Sequence, residues 1–299
     1  MRISWCRCCA SGCTPEEVEI VDVQAEEEHQ TEVLEVELLL SGMVKRYGYD
    51  FRGYSRASLM RRIRHAARRE GVETVSALQD RVLHDPGSMA RFVEGIAVHT
   101  TSMFRDADVY KTLRAEVIPL LRTYPFIRIW HAGCSSGEEV YSLAILLHEE
   151  GLYERCRLYA TDFSDAVIDR ARKGIFTLPS IRQHTVAYQK AGGTKDFSTY
   201  YDTDASNAII RQWLRRNTIF SQHNLVSDSA FNEFHLIMCR NVMIYFDLEL
   251  RNRVHELLYG SLTKFGILGL GKKESLHATP FENRFEEMGD NLKVYRRVR

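Results

Sequence analysis

Apolar residues follow two different rhythms along this chain. Up to residue 122 they recur at the spacing of amphipathic helices, whereas after Pro125 short apolar runs alternate with helical stretches. In the first part Val33, Leu34, Val36, Leu38, Leu39, Leu40, Met43 and Val44 predict a helix over 31–47 that ends near Gly48. Ser55 is placed to cap a second helix, 56–70. There Leu59, Met60, Ile63, Ala66 and Ala67 share one arc, and Arg61, Arg62, Arg64, Arg68 and Arg69 the other. Further helices are predicted over 74–83 and 88–98, with Asp85-Pro86-Gly87 as the turn between them. Asp106 then caps a helix that runs through Leu121. An all-helical domain over 31–123 follows, with Tyr124-Pro125 as its boundary.

The second part, 124–299, reads strand 127–132, helix 138–149, strand 157–161, helix 164–173, then strands near 217–221 and 234–239. A helix over 248–262 and strands over 266–271 and 292–298 complete it. Such alternation marks an α/β fold built on a mostly parallel, doubly wound sheet. Residues 177–216 interrupt it with polar, aromatic, Gly192-Gly193-containing sequence and read as an insertion.

Composition narrows the choice of partners. The 299 residues suit two domains, and 40 Lys and Arg balance 40 Asp and Glu, so no overall field favours nucleic acid or an anionic membrane. The distribution is uneven: residues 14–44 hold no Lys or Arg but a run of acids from Glu16 to Glu37. Residues 1–30 are expected to be an acidic, disordered tail. Cys6, Cys8, Cys9 and Cys13 crowd that tail at a spacing that matches no zinc pattern, so no metal is expected. Cys134, Cys156 and Cys239 lie in or beside strands and read as buried thiols. Apolar runs such as Leu143–Leu147 are far short of a bilayer span, and Met1–Cys13 lacks the apolar stretch of a signal peptide. A cytoplasmic protein is expected.

The candidate chemistry gathers where strand 127–132 runs into Gly133-Cys134-Ser135-Ser136-Gly137 and a helix opened by Glu138 and Glu139. Small residues there let backbone N–H groups and a helix N-terminus approach a ligand closely. A nicotinamide or flavin fingerprint wants G-x-G-x-x-G; this loop is G-x-x-x-G followed by two acids, which oppose a pyrophosphate. A cationic ligand with hydroxyls suits it better. S-adenosylmethionine has a sulfonium, an ammonium and a ribose but no phosphate. Asp162, ending the next strand in Y-A-T-D, stands where an acid binds ribose hydroxyls. Taken singly, the glutamates can serve only the helix dipole and Asp162 only a cap. The same loop satisfies G-x-S-x-G, the nucleophile elbow of serine hydrolases, with His277 in permissible order. Against a hydrolase, the glutamate pair opposes a developing oxyanion and no oxyanion-hole motif lies upstream.

Six ordered segments carry a specific resemblance: G-Y-S-R-A-S-L-M-R-R-I, T-S-M-F-R-D, H-A-G-C-S-S-G-E-E-V-Y-S-L-A, Y-A-T-D, Q-H-N-L and M-C-R-N-V-M-I-Y-F-D. In these the chain resembles the CheR-type chemoreceptor glutamate methyltransferases over residues 45–299. The resemblance implies a helical N-terminal domain and a Rossmann-like S-adenosylmethionine-dependent methyltransferase domain with a small antiparallel β insertion. It also implies a substrate glutamate on the cytoplasmic helices of a chemoreceptor or related signalling protein. Carried over by position, His99, Thr101, Arg105, Gly133, Glu138, Glu139, Asp162, Asn224, Leu225, Arg240 and Asn241 would surround the cofactor. Arg105 and Tyr245 would lie nearest the transferred methyl, and Arg61, Arg64 and Arg68 would meet the acidic receptor helix. His99 stands where well-known members often carry Asn, Val140 where they carry Pro, and residues 1–30 have no counterpart. A monomer without nucleic-acid binding or membrane insertion is expected. A non-catalytic S-adenosylmethionine-binding signalling module is the alternative. A nucleic-acid or small-molecule methyltransferase is disfavoured, since the strand end reads Cys239-Arg240-Asn241-Val242 instead of the amine-methylating N/D-P-P-Y/F.

Overall fold

The computed structural model describes residues 15–97, 101–289 and 291–298. His99 and the four N-terminal cysteines lie outside the described residues. The chain forms two compact units, 15–52 with 56–96, and 53–55 with 97 onward.

The first unit is helical: α1 (Pro15–Tyr47), α2 (Arg56–Glu70), α3 (Val75–His84) and α4 (Pro86–Ile96). α2 keeps the expected bounds and buries the expected Leu59, Met60, Ile63, Ala66 and Ala67. α1 begins well before the expected start, so the acid-rich run expected in a disordered tail is helical from Pro15. Glutamate is a strong helix former and complements the positive end of the dipole, so the acids that read as a solvated tail suit a helix equally well. Farther along α1, Glu35 accepts from the N–H groups of Val75 (3.3 Å) and Ser76 (3.2 Å), capping α3 together with Thr74, whose hydroxyl accepts from Ala77 (3.1 Å). Pro86 and Gly87, expected as a turn, open α4 instead. Asp85 is its cap, accepting from Gly87 and Ser88 N–H at 2.9 Å each, and proline is at home where no intrahelical donor is needed.

The second unit starts near residue 97, not at Pro125. The segment between carries α5 (Ala107–Thr112), a π-helical turn (Leu113–Val117) and α6 (Ile118–Leu121). Its Val109, Tyr110, Leu113, Val117, Ile118 and Leu121 join one core with Ile127 and Ile129 of the sheet, so the helix belongs to the α/β layer. Pro119 accounts for the wide turn: lacking an N–H and crowding the preceding turn, it is accommodated where Ile118 donates to Leu113.

From there the order is β1 (Ile127–Ala132), α7 (Glu138–Glu149), β2 (Cys156–Asp162), α8 (Asp165–Lys173), β3 (Ile175–Thr177), α9 (Leu178–Lys190), β4 (Tyr201–Thr203), β5 (Asn207–Ile210) and α10 (Gln212–Arg215). Then come β6 (Thr218–Gln222), β7 (Phe234–Cys239), α11 (Leu248–Gly260), β8 (Leu262–Leu270), β9 (Phe285–Met288) and β10 (Val294–Arg297). The main sheet runs β6-β2-β1-β7-β8-β10-β9. Its first five strands are parallel, Ile127 facing Cys156 at one end of the β1–β2 ladder and Ala132 facing Thr161 at the other. β10 is antiparallel to both neighbours. β1 and β7 are buried almost throughout because helices cover both faces. β9, with two glutamates in F-E-E-M, is a strand that the apolar pattern does not reveal. The insertion folds as the antiparallel sheet β3-β5-β4 with α9, and it starts at Ile175. Its Tyr188 and Phe197 pack on Phe104, with ring centroids 5.3 and 6.3 Å away.

Candidate active site at the strand ends

β1 hands the chain to a loop in which Gly133 (φ +78°), Ser135 (φ +50°) and Gly137 (φ +94°) are all left-handed. A side chain at Gly133 would begin 2.6 Å from Val242 Cγ2, so only glycine satisfies both the backbone and the neighbour. Gly133 and Cys134 N–H both donate to the Thr161 carbonyl (2.9 and 2.8 Å), and Ser135 N–H donates to the Asp162 carboxylate (3.0 Å). The loop is thereby clipped to the end of β2. His223 N–H donates to the Asp162 carbonyl (3.0 Å), which brings the turn after β6 to the same place. In that turn Asn224 accepts from Val226 N–H (3.0 Å) and Leu225 is buried. β2 lies on one side of β1 and β7 on the other, so these strand ends flank a topological switch point, where open α/β sheets bind ligands.

Two acids there are buried, each 8 % exposed. Burial pushes the Glu138 carboxyl above its ordinary pKa, against the hydrogen bond that Ser136 donates at 2.7 Å. Burial likewise raises Asp162, against the N–H groups of Ser135, Ser164 and Phe163. Glu139 differs. Its carboxylate faces His131 Nδ1 (3.3 Å) and accepts from Arg240 (2.9 Å); burial works against ionisation, but the His131 hydrogen bond and the Arg240 charge together hold its pKa below the ordinary value. Arg240 also donates to Asp106 (2.7 Å) and to the Arg105 carbonyl (3.3 Å). Asp106 therefore makes no capping bond to α5; its carboxylate is turned to Arg240 and Lys272. Glu139 and Arg240, expected against the cofactor, are engaged with each other.

Arg105 is half-buried between two left-handed residues, Phe104 (φ +54°) and Asp106 (φ +58°). Such conformations cost about 1–3 kcal/mol each for non-glycine residues and persist where packing enforces them. Here Phe104 N–H donates to Ser142 Oγ (2.9 Å), which donates to the Glu138 carbonyl (2.6 Å), tying the segment with Thr101 and Arg105 to α7. On the other side of the switch point Asn241 (φ +61°) starts the segment that leads to Tyr245, in a short 3-10 turn. Sequence reasoning passes over Glu274, which is 6 % exposed and accepts from the N–H groups of Asn241, Val242, Met243 and Gly271. The signal was an acid just past the end of an apolar strand, in G-K-K-E-S.

Arg61 and Arg68 are exposed on α2, while Arg64 is paired with Glu32 and Arg56 with Glu37 of α1. The hydrolase arrangement does not form: among the described residues the buried Ser135 Oγ has no hydrogen-bond partner, and His277 is paired with Glu282 on the surface. Among the described residues no cluster suits a metal ion.

The donor set fits S-adenosylmethionine: two buried acids for a cationic ligand with hydroxyls, and beside them the buried Ser135 hydroxyl, which has no hydrogen-bond partner among the described residues. A doubly wound sheet with that site at its switch point suits a methyltransferase domain. Residues 99–293 match the family described as CheR methyltransferase, SAM binding domain, and residues 34–97 its all-alpha domain, so the chain belongs to the CheR methyltransferase family and its cofactor is S-adenosylmethionine. It is 47 % identical over 264 residues to the putative methyltransferase Cher3 of Pseudomonas putida, covering 88 % of this chain and 97 % of that one. A chemotaxis protein methyltransferase of Listeria innocua is 28 % identical over 80 % of this chain and 89 % of its own. Chemotaxis protein methyltransferase 2 of Pseudomonas aeruginosa is 32 % identical over 65 % of this chain and 70 % of its own.

Proposed function

We propose that this enzyme methylates glutamate side chains on chemoreceptor-type signalling proteins, forming glutamate methyl esters. The observation that carries the reading is the convergence of Gly133, Glu138 and Asp162 at the strand ends, in a chain whose relatives are named chemotaxis protein methyltransferases. Bound there, S-adenosylmethionine supplies a methyl group on a positively charged sulfur. Asp162 is placed for the ribose hydroxyls, and Glu138 gives the site the negative potential that a cation needs. Glu139 and Arg240 support the pocket through their ion pair. A glutamate, with a reference pKa of about 4.3, is already ionised at neutral pH, so no residue has to remove a proton. What remains is orientation and the exclusion of water, effects worth several kcal/mol. Arg105 aims the carboxylate and Tyr245 donates to one of its oxygens. Arg105 positions and does not activate, because a tight guanidinium contact would blunt the nucleophile.

The substrate is taken to be an acidic helix of a receptor's cytoplasmic part, met by Arg61 and Arg68, with Arg64 shared with Glu32. No described helix is long and apolar enough to cross a membrane. The test is incubation with methyl-labelled cofactor and receptor fragments, scored for alkali-labile label. Reversing Arg61 and Arg68 to Glu is expected to lower labelling about tenfold through like-charge repulsion while leaving cofactor affinity unchanged. Cofactor binding without any ester would identify a non-catalytic signalling module instead.

The buried acids also predict a pH dependence. Burial raises Asp162 above 3.8 and Glu138 above 4.5, so protonation starts at a higher pH than for free carboxyls. A cationic ligand favours the ionised forms. Cofactor affinity should therefore fall as pH drops from neutrality, and the Asp162→Asn variant should bind more weakly with a flatter profile. Calorimetry across pH checks this; an affinity that holds down to the range where free carboxyls titrate contradicts it.

A further inference from the structure

The segment Arg240–Tyr245 takes its shape from a single carboxylate. One oxygen of Glu274 accepts from Asn241 N–H (2.9 Å) and Gly271 N–H (2.6 Å), and the other from Val242 N–H (2.9 Å) and Met243 N–H (2.8 Å). Four backbone donors from the ends of β7 and β8 thus converge on one side chain. Three successive N–H groups facing the same way form a concavity of the kind that usually receives an anionic ligand. Here the protein fills it itself. Glu274 is seated by its own N–H, which donates to the Gly271 carbonyl (2.8 Å), and a side chain at Gly271 would begin 2.7 Å from both Asn241 N and the carboxylate.

The clamp bears on both sides of the switch point. Val242, held by Glu274, is the residue against which Gly133 is packed too closely for any side chain. Asn241 is fixed in its left-handed conformation, and the 3-10 turn ending at Tyr245 begins at Met243. Beyond it, the Tyr245 carbonyl accepts from Ser55 N–H (2.7 Å) and Asp247 N–H donates to the Gly53 carbonyl (2.8 Å), so the far end of the segment is pinned as well.

We propose that Glu274 is a positioning residue for methyl transfer: its carboxylate sets the separation between the Gly133 loop and Tyr245. This rests on the methyltransferase reading given above. Glu274 touches neither reacting group; it acts through the backbone of Asn241, Val242 and Met243. Misplacement by about 1 Å at a reacting centre is enough to cost about a hundredfold in rate. The Glu274→Gln variant keeps the size of the side chain but replaces one accepting oxygen by an amide that only donates, leaving two of the four N–H groups without an acceptor.

The experiment compares full-length wild type and Glu274→Gln in three readouts: product calorimetry with S-adenosylhomocysteine, kcat and KM for a receptor fragment, and residue-resolved amide hydrogen exchange. In the variant, exchange at Asn241, Val242, Met243 and Gly271 is expected to rise about tenfold or more, while β1 and β7 keep their protection. kcat is expected to fall about tenfold or more with KM for the fragment little changed, the mark of an interaction that matters in the transition state. An unchanged kcat overturns the proposal, and so does a loss of protection spread evenly over the sheet, which would make Glu274 a stability residue only. If wild type itself forms no ester, the methyltransferase reading fails; the exchange pattern still decides whether the clamp exists.

Discussion

Replacing Arg240 by methionine should lower the stability of the α/β unit by up to about 3–5 kcal/mol, the cost of leaving a largely buried carboxylate without its charged partner. The Arg240 side chain is 1 % exposed and bridges Glu139, Asp106 and the Arg105 carbonyl. Asp106 retains Lys272, whereas among the described residues Glu139 keeps only its 3.3 Å contact with His131 Nδ1, so most of the loss should come from Glu139. A second substitution, Glu139→Gln, should then recover part of it, because the uncompensated charge goes with it. The sign with pH follows from Glu139. Its folded pKa lies below 4.5, so its favourable contribution is present above that value and is lost as pH falls. The gap between wild type and Arg240→Met should therefore narrow in acid. Urea titrations at neutral and acidic pH measure it; a gap under about 1 kcal/mol at neutral pH would mean that the pair only breaks even with its desolvation.

A single methyl at Gly133 should be nearly as damaging. The left-handed backbone costs alanine about 1–2 kcal/mol, and the overlap with Val242 adds about 1–3 kcal/mol, for a total of about 2–5 kcal/mol. The two contributions separate experimentally. In Gly133→Ala with Val242→Ala the overlap is gone and only the backbone strain should remain. Thermal unfolding of the four proteins in this cycle gives the coupling. Additive losses would show that Val242 does not confine Gly133.

Many elements are legible in the sequence because they bury one face or both: I-R-I-W-H-A reads as an interior strand, and Leu59, Met60, Ile63, Ala66 and Ala67 mark the inner arc of α2. The turn residues and the acids beside them, Gly133, Glu138 and Asp162, are legible because their chemistry is local to the chain. What could not be read depends on partners distant in sequence. The helix ending at Leu121 looks the same whichever unit it packs on, so the domain boundary falls some way from Pro125. Asp106 has the sequence context of a helix cap, and only the arrival of Arg240 turns it elsewhere. Glu139 is chemically equivalent to Glu138 in the sequence; the fold sends one to Arg240 and His131 and leaves the other beside Ser136. Glu274 is one acid among 40 acidic residues until four N–H groups close on it.

The seven-stranded sheet ends on one side in β9, where Glu286 and Glu287 face Arg296 and Tyr295 of β10. Another chain extending the sheet from that margin would have to set its own strand against consecutive carboxylates on a four-residue ribbon. Short, charged borders of this sort discourage intermolecular β-pairing, so the sheet carries its own guard against aggregation at this exposed rim.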